Sequence, residues 1–420
     1  MATYYIDSVS GRADASGLSP EQPLASSLGL CVKPGDSVLF KRGSEFFCAL
    51  NNVSGEPGSP VRYGAYGDGP APRFNGSIDV SKPSDWRNVG GNVWKCLGEC
   101  DTQVCNFVFN DEVGAAFRWD REALTENGDF WDSAFGTDFV KPEDHEVLLY
   151  CEKNPAEYYY KVECVLRRDR NVIGSGHDFI ITDLDFIKSG VHGLSGLNPN
   201  RNITISRCRF AFIGGCCWSK DLRIRFGNGL EFWNVCENVR IDHCTFYDIY
   251  DSAITHQGIP GEVEPAVDFV MKNNLFVRCG MGAYEQRDIQ PLRAEFSGNV
   301  CMEAGRGFSH LHTPMPRMSE IWPAPMGHHV FLWRMDYPTA GAEFIIKDNT
   351  FLDAPWGAAI YSVCCREVDD STVVDGNIYH MPEHTLINRI CGRDYDDFAT
   401  YQTQTGKDPR GIIALSSANL

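Results

Sequence analysis

One phrase decides the fold of this chain: ITDLDF at residues 181–186, ISRCRF at 205–210, IDHCTF at 241–246, MKNNLF at 271–276, FSGNVC at 296–301, IKDNTF at 346–351 and VVDGNIY at 373–379. Most copies alternate apolar and polar residues, turn at a small polar residue and end on Phe. Alternation with a period of two indicates a β-strand. The closing residues of the first six copies are 24, 36, 30, 25 and 50 residues apart. Repeats of roughly 20–50 residues are typical of solenoids. We therefore predict a β-solenoid in which each coil stacks on its neighbours.

The composition and charge exclude several classes of protein. The 420 residues are 43% hydrophobic, and 40 Gly and 22 Pro fit a chain with many tight turns. A net charge of -18 argues against a nucleic-acid partner and favours a neutral or mixed ligand over a polyanion. No apolar run approaches the roughly 20 residues that span a bilayer, so we expect no membrane partner. No signal peptide is visible, which predicts a cytoplasmic protein, or a secreted one if a leader preceded this sequence.

The seventeen cysteines indicate reduced, buried thiols. They lie on repeat strands, in adjacent pairs and in loops, without the spacing of a disulfide framework. Cys96, Cys100 and Cys105 form one close group, but no paired C-x-x-C or His spacing near them supports a zinc site. We predict free thiols, no metal and no cofactor.

The chain divides into four segments. Residues 1–95 form an N-terminal cap and the first coils, and residues 96–165 form an insertion of aromatic and acidic strands and loops. The main coils and their groove span 166–392, and 393–420 form a C-terminal cap or tail. Within the first segment, SPEQPLASSL at 19–28 begins with Ser-Pro, which predicts a short helix covering the open end of the solenoid.

Five phrases carry a resemblance to known proteins: YYIDSVSGRADASGLSPEQPLASSL at 4–28, KPGDSVLFKRG at 33–43, YGAYGDGPAP at 63–72, GNGLEFWN at 227–234 and YDIYDSAITHQG at 247–258. They resemble the right-handed parallel β-helix proteins of the pectate-lyase-like superfamily, and among these the glycoside hydrolases active on xylosides and fucosides. The resemblance implies an all-β, right-handed parallel β-helix that acts on carbohydrate. Lyases, epimerases and hydrolases share this scaffold, so the fold does not decide among them.

The repeat also predicts which side chains face outward. Counting eight residues from each closing residue reaches four positions that we expect to point inward: Leu194, Ile254, Tyr284 and Ser309. Because side chains of a strand alternate, the residues on either side of them should point outward. One outward row is then Thr255, Glu285 and His310, and the other is Gln257, Arg287 and His312. Glu231 joins the first row by matching the phrase GNGLEF to the repeat, and Trp233, two residues later, joins the second. Stacked carboxylates, imidazoles and an indole predict a sugar-binding cleft.

Three carboxylates near these rows are candidates for catalysis, namely Asp251, Glu285 and Glu231. Glycoside hydrolysis uses two carboxyl groups, one of them a general acid. Asp251 and Glu285 lie on successive coils, near the roughly 5 Å spacing of a retaining enzyme. Glu231 and Glu285 are two coils apart, roughly 9.6 Å at the backbone, which suits an inverting enzyme. The family-like phrase around Asp251 favours it as the acid, with Glu285 as the nucleophile.

The predicted substrate-binding residues are Trp233, His256, Gln257, Arg287, Asp288, His310, His312 and Trp322. An indole ring can pack against a sugar, while amides and imidazoles exchange hydrogen bonds with hydroxyls. The alternative for Asp248 and Asp288 is backbone capping in turns, and the alternative for each lone histidine is a structural role. His310 and His312 share a face, but no third metal ligand is evident.

The leading interpretation is a glycoside hydrolase that acts on an oligosaccharide or glycoside. A polysaccharide lyase or uronate epimerase could instead use Arg287, His310 and Arg306, with Arg223 and Arg225 nearby. A non-catalytic carbohydrate-binding β-helix is the third interpretation. The sequence leaves these alternatives open, and it leaves a homo-oligomer open as well.

Overall fold

The chain winds into a parallel β-helix in this computed structural model, and three parallel sheets run along its length. The structure describes residues 1–135, 141, 144–167, 171–174, 176–196, 199–259, 261–262, 264–308, 311–312, 326–381 and 386–414. Each complete coil contributes one strand to each of the three sheets. No helix in these ranges is long and apolar enough to cross a membrane.

The strands of the three sheets follow one another in chain order. The first sheet contains Thr3–Ile6, Ser37–Lys41, Val61–Tyr66, His177–Thr182, Asn200–Ser206, Cys236–Asp242, Val267–Lys272, Arg293–Ser297, Glu343–Lys347 and Thr372–Asp375. The second contains Glu45–Phe46, Arg73–Asn75, Asp185–Ile187, Arg209–Ile213, Thr245–Ile249, Leu275–Cys279, Val300–Met302, Thr350–Leu352, Ile378–His380 and Ile412–Ile413. The third contains Leu50–Asn52, Val172–Gly174, Leu194–Gly196, Leu230–Trp233, Ser252–Gln257, Gly282–Arg287, Val330–Trp333, Ile360–Val363, Asn388–Ile390 and Arg393–Tyr395.

The closing residues of the repeat form one column inside the β-helix. Phe186, Phe210, Phe246 and Phe276 are paired in register on the second sheet, and their stacked rings lie 5.2, 5.3 and 5.0 Å apart. The column continues through the three remaining closing residues, Cys301, Phe351 and Tyr379. The predicted β-solenoid and its register are therefore confirmed. The unequal steps in sequence are absorbed by turns between strands.

A column of buried asparagines follows the turn between the first and second sheets. Its members are Asn274, Asn299, Asn349 and Asn377, and Asp408 ends it. Each Oδ1 acceptor receives the backbone N–H of the preceding member at 2.9–3.1 Å. Each asparagine Nδ2 donates onward to the next member and to a backbone carbonyl. The buried polar groups of this turn are thus paired from coil to coil.

An insertion leaves the β-helix after Arg73–Asn75 and returns at Val172–Gly174. One of its sheets has the order Val113–Gly114, Val104–Phe109, Val162–Leu166 and Ser77–Asp79. The other has the order Ala116–Phe117, Asp129–Asp132, Val147–Tyr150, Val93–Cys96 and Trp86–Gly90. Short 3-10 helices at Pro83–Asp85 and Arg121–Ala123 and a helix at Pro155–Tyr158 join these strands. The predicted start at residue 96 is too late, because strands before it already pair with strands beyond it.

Buried charges fasten the insertion to the β-helix. Lys188 follows a second-sheet strand and pairs with Glu163 and Asp111 of the insertion. Glu163 also accepts hydrogen bonds from Asn75 at 3.1 Å and Ser77 at 2.8 Å. A buried carboxylate needs such partners to offset its desolvation. The insertion is therefore held at a defined place against the turns that enter the third sheet.

The predicted capping helix at residues 19–28 is wrong, since this segment forms turns. Leu24 makes a single bridge with Ile6, exchanging backbone hydrogen bonds of 2.9 Å with Tyr5 and Asp7. Pro23 explains the difference, because it lacks an N–H and its ring would clash within a helix. The segment therefore lies beside the first strand as turns joined to it by one bridge.

The C-terminal segment caps the other end. Arg393–Tyr395 turns back antiparallel on Asn388–Ile390, and a helix at Phe398–Thr405 follows. Asp397 caps this helix by accepting the Thr400 N–H at 2.7 Å. A second helix, at Arg366–Ser371, lies earlier in the chain, between the third and first sheets.

All seventeen cysteines are free, and twelve of them are buried. Cys96 and Cys100 lie with Cys164, whose Sγ is 3.7 Å from that of Cys100, whereas Cys105 lies beside Cys216. The grouping of Cys96 and Cys100 with Cys105 is therefore wrong. No cluster of His, Cys, Asp and Glu in the described ranges could hold a metal ion.

We expect a thiol reagent to modify all 17 cysteines in denaturant without added reductant. In the native protein only exposed Cys31 should react rapidly, because burial raises the pKa of buried thiols such as Cys236 and lowers their thiolate fraction. A colorimetric thiol count before and after unfolding measures both numbers. A low count in non-reducing denaturant would show disulfides and contradict the prediction.

Candidate active site

The site lies on the outer face of the third sheet, beside the turns that enter it. Leu194, Ile254 and Tyr284 are buried, as the repeat predicted, and Leu230 takes the same inward position between Leu194 and Ile254. Their neighbours therefore point outward. In order along the sheet, the outward row contains Ser195, Glu231, Thr255, Glu285, Phe331 and Tyr361.

Beyond Glu285 the predicted rows are wrong. Val330 is paired with Tyr284, so Phe331 and Trp333 occupy the places predicted for His310 and His312. The reason is that the next third-sheet strand begins only at Val330, 28 residues after Met302, the last residue of the preceding strand. His310 and Trp322 lie outside the described residues.

His312 instead contacts the insertion. Its Nε2 lies 2.9 Å from the carbonyl oxygen of Asn127, and its Nδ1 lies 3.1 Å from Glu126. The imidazole is thus held by the insertion and has no place in the outward rows of the third sheet.

Four donors surround the Glu231 carboxylate, which is only 7% exposed. Ser195 Oγ lies 2.9 Å from it, Gln257 Nε2 3.1 Å, His192 Nε2 3.1 Å and Asn228 Nδ2 3.4 Å. An ionised carboxylate accepts hydrogen bonds at both oxygens, which is the pattern here. The surrounding side chains therefore fix Glu231 in place as an acceptor.

The turn before Leu194 orients His192 toward Glu231. His192 Nδ1 accepts the backbone N–H of Asn228 at 3.0 Å, which leaves the ring proton on Nε2, the nitrogen that faces Glu231. Asn228 is held in turn, because its Oδ1 accepts the backbone N–H of Ser252 at 3.0 Å. Residues of three successive coils thus position one carboxylate.

Glu285 lies two coils from Glu231 in the same row. Its carboxylate accepts hydrogen bonds from Thr255 Oγ1 at 3.1 Å and Ser252 Oγ at 3.3 Å. The side chain is 4% exposed, and Phe331 occupies the same position on the next strand. Hydroxyl groups thus hold one side of Glu285, and an aromatic ring is its neighbour on the sheet.

Asp251 precedes the strand that lies between those of Glu231 and Glu285. Its backbone N–H donates to Gly227 at 3.1 Å, and its carbonyl oxygen accepts the N–H of Met281 at 3.1 Å. The residue is 6% exposed. The structure therefore places three carboxylates on three successive coils.

His256 points into the β-helix, so its predicted contact with substrate is wrong. It alternates with Thr255 and Gln257, which face outward, and it is completely buried. Its Nε2 lies 2.9 Å from the carbonyl oxygen of Asn234, and its Nδ1 lies 3.0 Å from Gln286. Burial lowers its pKa, which favours the neutral ring.

Aromatic and charged residues form the far end of the outer face. Phe331 and Trp333 stack with ring centres 5.4 Å apart. Arg287 lies 4.5 Å above the Trp333 ring and 3.3 Å from Asp288, which also pairs with Arg334 at 3.4 Å. Asp288 thus joins two arginines.

At the other end, half-buried Trp233 belongs to the row of Gln257 and Arg287. Asp248, in the second-sheet strand Thr245–Ile249, is buried and bonded to Arg278 at 2.8 Å. This ion pair with a residue of the neighbouring strand gives Asp248 a structural role, although not the predicted one of backbone capping in a turn.

A hairpin of Cys216–Ser219 and Ile224–Phe226 stands beside the site and contacts the insertion. Its buried Arg225 lies between the rings of Phe117 and Tyr250, at 4.2 and 4.6 Å. Its Nη2 donates to the carbonyl oxygen of Cys105 at 2.6 Å. The arginine thus joins the insertion to the residue before Asp251.

Sequence reasoning missed His192, Ser195, Asn228, Ser252, Phe331, Trp333 and His328. Two of them could have been found by extending the repeat backward. His192 and His328 both lie two residues before an inward residue of the third sheet, and both accept a backbone N–H from the next coil at Nδ1. The signal in the sequence was a histidine that recurs two residues before the inward residue of a third-sheet strand.

No family model and no curated protein matches this chain. Among solved structures, a complex of XylC with xylose is similar, with a TM-score of 0.55 and 14% sequence identity. The match covers 92% of this chain and 62% of that one, so this chain spans less than two thirds of XylC. A GH136 lacto-N-biosidase from Eubacterium ramulus matches with a TM-score of 0.45 and 12% identity over 98% of this chain and 67% of that one. At such identities the likeness concerns the fold alone, and the chain is a parallel β-helix protein.

Proposed function

We propose that this chain is a glycoside hydrolase whose cleft is the outer face of the third sheet. The observation that carries the proposal is the row in which Glu231 and Glu285 face the same side, two coils apart. Successive coils are separated by about 4.8 Å, so the two backbone positions are roughly 9.6 Å apart. Inverting glycosidases hold their two carboxyl groups about 6.5–9.5 Å apart, with room for a water molecule.

The surroundings of the two residues support different roles. Glu231, with four donors around it, suits the general base that takes a proton from the attacking water. Glu285, beside Phe331, suits the general acid, since apolar surroundings help a carboxyl group keep its proton. The proton of Glu285 passes to the glycosidic oxygen as that bond breaks. The water oxygen bonds to the anomeric carbon, and the stereochemistry inverts.

Asp251 and Glu285 form an alternative pair of catalytic carboxyl groups within the same proposal. It lies one coil from Glu285, near the roughly 5 Å spacing of retaining enzymes. In that pairing Asp251 is the acid and Glu285 the nucleophile. The hydrogen bonds on Glu231 favour the wide pair, and the anomer of the fresh product decides between them.

A neutral sugar is the best substrate class. The chain carries a net charge of -18, and two arginines suggested for uronate recognition already have partners. Arg225 is buried against backbone carbonyls, and Arg287 pairs with Asp288. These contacts argue against the lyase alternative. The xylose complex of XylC makes xylosides the first substrates to test.

The test is a panel of nitrophenyl glycosides, xylosides and fucosides included, assayed beside uronate polymers. We expect nitrophenol release from at least one neutral glycoside, and NMR of the fresh sugar should show the inverted anomer. A retained anomer would transfer the roles to Asp251 and Glu285. An unsaturated product from a uronate polymer would replace the proposal with the lyase alternative. Binding without any turnover would support the carbohydrate-binding alternative.

Replacing His192 with Leu should lower kcat by about 10²-fold, because a misplaced catalytic group loses that much. His192→Gln keeps an amide donor and should recover part of the activity. His177→Leu, on the first sheet, is the matched control. An unchanged kcat in His192→Leu, or no recovery of activity in His192→Gln, would contradict a role for His192 in positioning Glu231.

A further inference from the structure

A pocket of about 500 Å³ lies between residues of the insertion and Leu311 and His312. Its described lining is Phe109, Val113, Thr125, Glu126, Asn127, Tyr150, Glu152, Tyr158, Tyr159, Leu311 and His312. Small-molecule sites in proteins span about 300–1,000 Å³. None of the outward residues of the third sheet lines this pocket, so it is a place separate from the cleft.

Aromatic rings build one wall of the pocket. Tyr159 stacks on buried Phe109 with ring centres 4.0 Å apart and planes 10° apart. Tyr158 meets Tyr159 edge to face at 4.8 Å. Aromatic rings offer flat apolar surfaces, and tyrosine adds a hydroxyl at the rim. This combination fits a sugar ring, which has one apolar face and polar edges.

Hydrogen bonds hold the polar rim in place. Asn127 Nδ2 donates to the Tyr158 hydroxyl at 3.2 Å, and its Oδ1 accepts the backbone N–H of Glu152 at 2.8 Å. Asn92 donates to the Tyr150 hydroxyl at 3.0 Å. Because both phenol oxygens accept hydrogen bonds here, their own protons can point toward a ligand. His312 joins the rim through its bond to Asn127.

The charge of the lining selects among ligands. Glu126 and Glu152 are acidic, and no Lys or Arg is among the described lining residues. Phosphate groups and uronates require cationic partners, which this lining does not offer. A neutral, hydroxyl-rich ligand satisfies both the aromatic wall and the acceptor groups.

We propose that this pocket binds one neutral sugar residue of a glycan, as a second site outside the cleft. The choice of a sugar rests in part on the proposed glycosidase function, while the site itself rests on the lining. A glycan long enough to reach both places would be held by the insertion while the cleft acts on it. Tyr158 and Tyr159 would be its main contacts.

Binding is tested with a panel of neutral sugars, namely xylose, xylobiose, cellobiose and lacto-N-biose, by saturation-transfer NMR and calorimetry. The Glu285→Gln protein is used so that no sugar is consumed. Tyr158→Ala in that background should weaken binding of at least one panel sugar by about tenfold, as expected for loss of an aromatic contact. Tyr160→Ala is the matched control, because Tyr160 is 75% exposed and does not line the pocket.

A second variant tests whether weaker binding in Tyr158→Ala could result from damage to the fold of the insertion. Thr125→Trp places a large side chain at the exposed rim and leaves the aromatic wall intact. It should also weaken the binding, with an unchanged melting temperature. Equal affinities in the Glu285→Gln parent, in Tyr158→Ala and in Thr125→Trp, or no detectable binding of any panel sugar, would overturn the proposal. Hydrolysis of nitrophenyl glycosides is measured on the same two substitutions made with Glu285 intact, and this separate readout tests the cleft alone.

Discussion

Replacing Glu285 with Gln should lower the turnover of a glycoside with a poor leaving group by about 10²–10⁴-fold, the usual contribution of general acid help. The amide is close in size to the carboxyl group, and it can still accept hydrogen bonds from Ser252 and Thr255. The melting temperature should therefore stay near that of the wild type. Steady-state kinetics and thermal unfolding of purified protein measure the two effects.

The identity of the leaving group separates the acid from the base. A dinitrophenyl glycoside departs with little protonation, so Glu285→Gln should lose much less activity on it than on a poor leaving group. Glu231→Gln should lose similar activity on both, because the attacking water still needs its base. Equal losses on the two substrates in Glu285→Gln would contradict its role as the acid.

Two further substitutions complete this test. Glu237→Gln changes an exposed carboxylate on the first sheet that pairs with Arg201, and it should be without effect. Asp251→Asn should be active if Glu231 and Glu285 are the catalytic pair, and inactive if Asp251 is the acid. Full activity in all three of Glu231→Gln, Asp251→Asn and Glu285→Gln would refute the proposed cleft.

Replacing Asn349 with Leu should lower the free energy of unfolding by about 3 kcal/mol or more. Asn349 accepts the backbone and side-chain N–H groups of Asn299 at 3.0 Å and donates to Phe296 and Asn377 at 3.0 and 2.9 Å. Leucine leaves the buried backbone N–H of Asn299 without its acceptor and removes a hydrogen bond from the Phe296 carbonyl and from the side chains of Asn299 and Asn377, and each buried group left unpaired costs about 1–3 kcal/mol. Denaturant and thermal unfolding followed by circular dichroism measure the loss.

The control for Asn349→Leu is the same change at an exposed position. Asn51 lies in an extended strand of the third sheet and is exposed, so Asn51→Leu should leave the unfolding midpoint almost unchanged. If the two variants unfolded at the same midpoint as the wild type, the asparagine column would contribute no net stability.

The repeat in the sequence was sufficient to predict which third-sheet residues face outward at the site. Because the closing residues from Phe186 to Tyr379 stack in one column, counting from them gives the register of the neighbouring strands. The prediction that Thr255 and Glu285 share one outward row follows from that count, and Glu231 was added to the row by matching the phrase GNGLEF; the pairing of the three strands confirms the row. Their catalytic roles stay a prediction.

The same count failed wherever a turn was long. A turn lies outside the sheets, so it can add residues without changing the register of the strands that it joins. Ser309 was therefore predicted at a position that Val330 occupies, and His310 and His312 were assigned to the wrong rows. Counting residues measures distance along the chain, whereas the register depends on where the next strand begins.

The sequence by itself thus determined the β-helix, the column of closing residues and the outward row of carboxylates, because strand periodicity and stacking are local or repeated every coil. Only the tertiary structure decided that SPEQPLASSL forms turns bridged to the first strand, that His256 points inward beside Gln286 and that His192 faces Glu231. The physical reason is that these outcomes depend on hydrogen bonds between residues of different coils. Local propensity and charge carry no information about such partners until the coils are stacked.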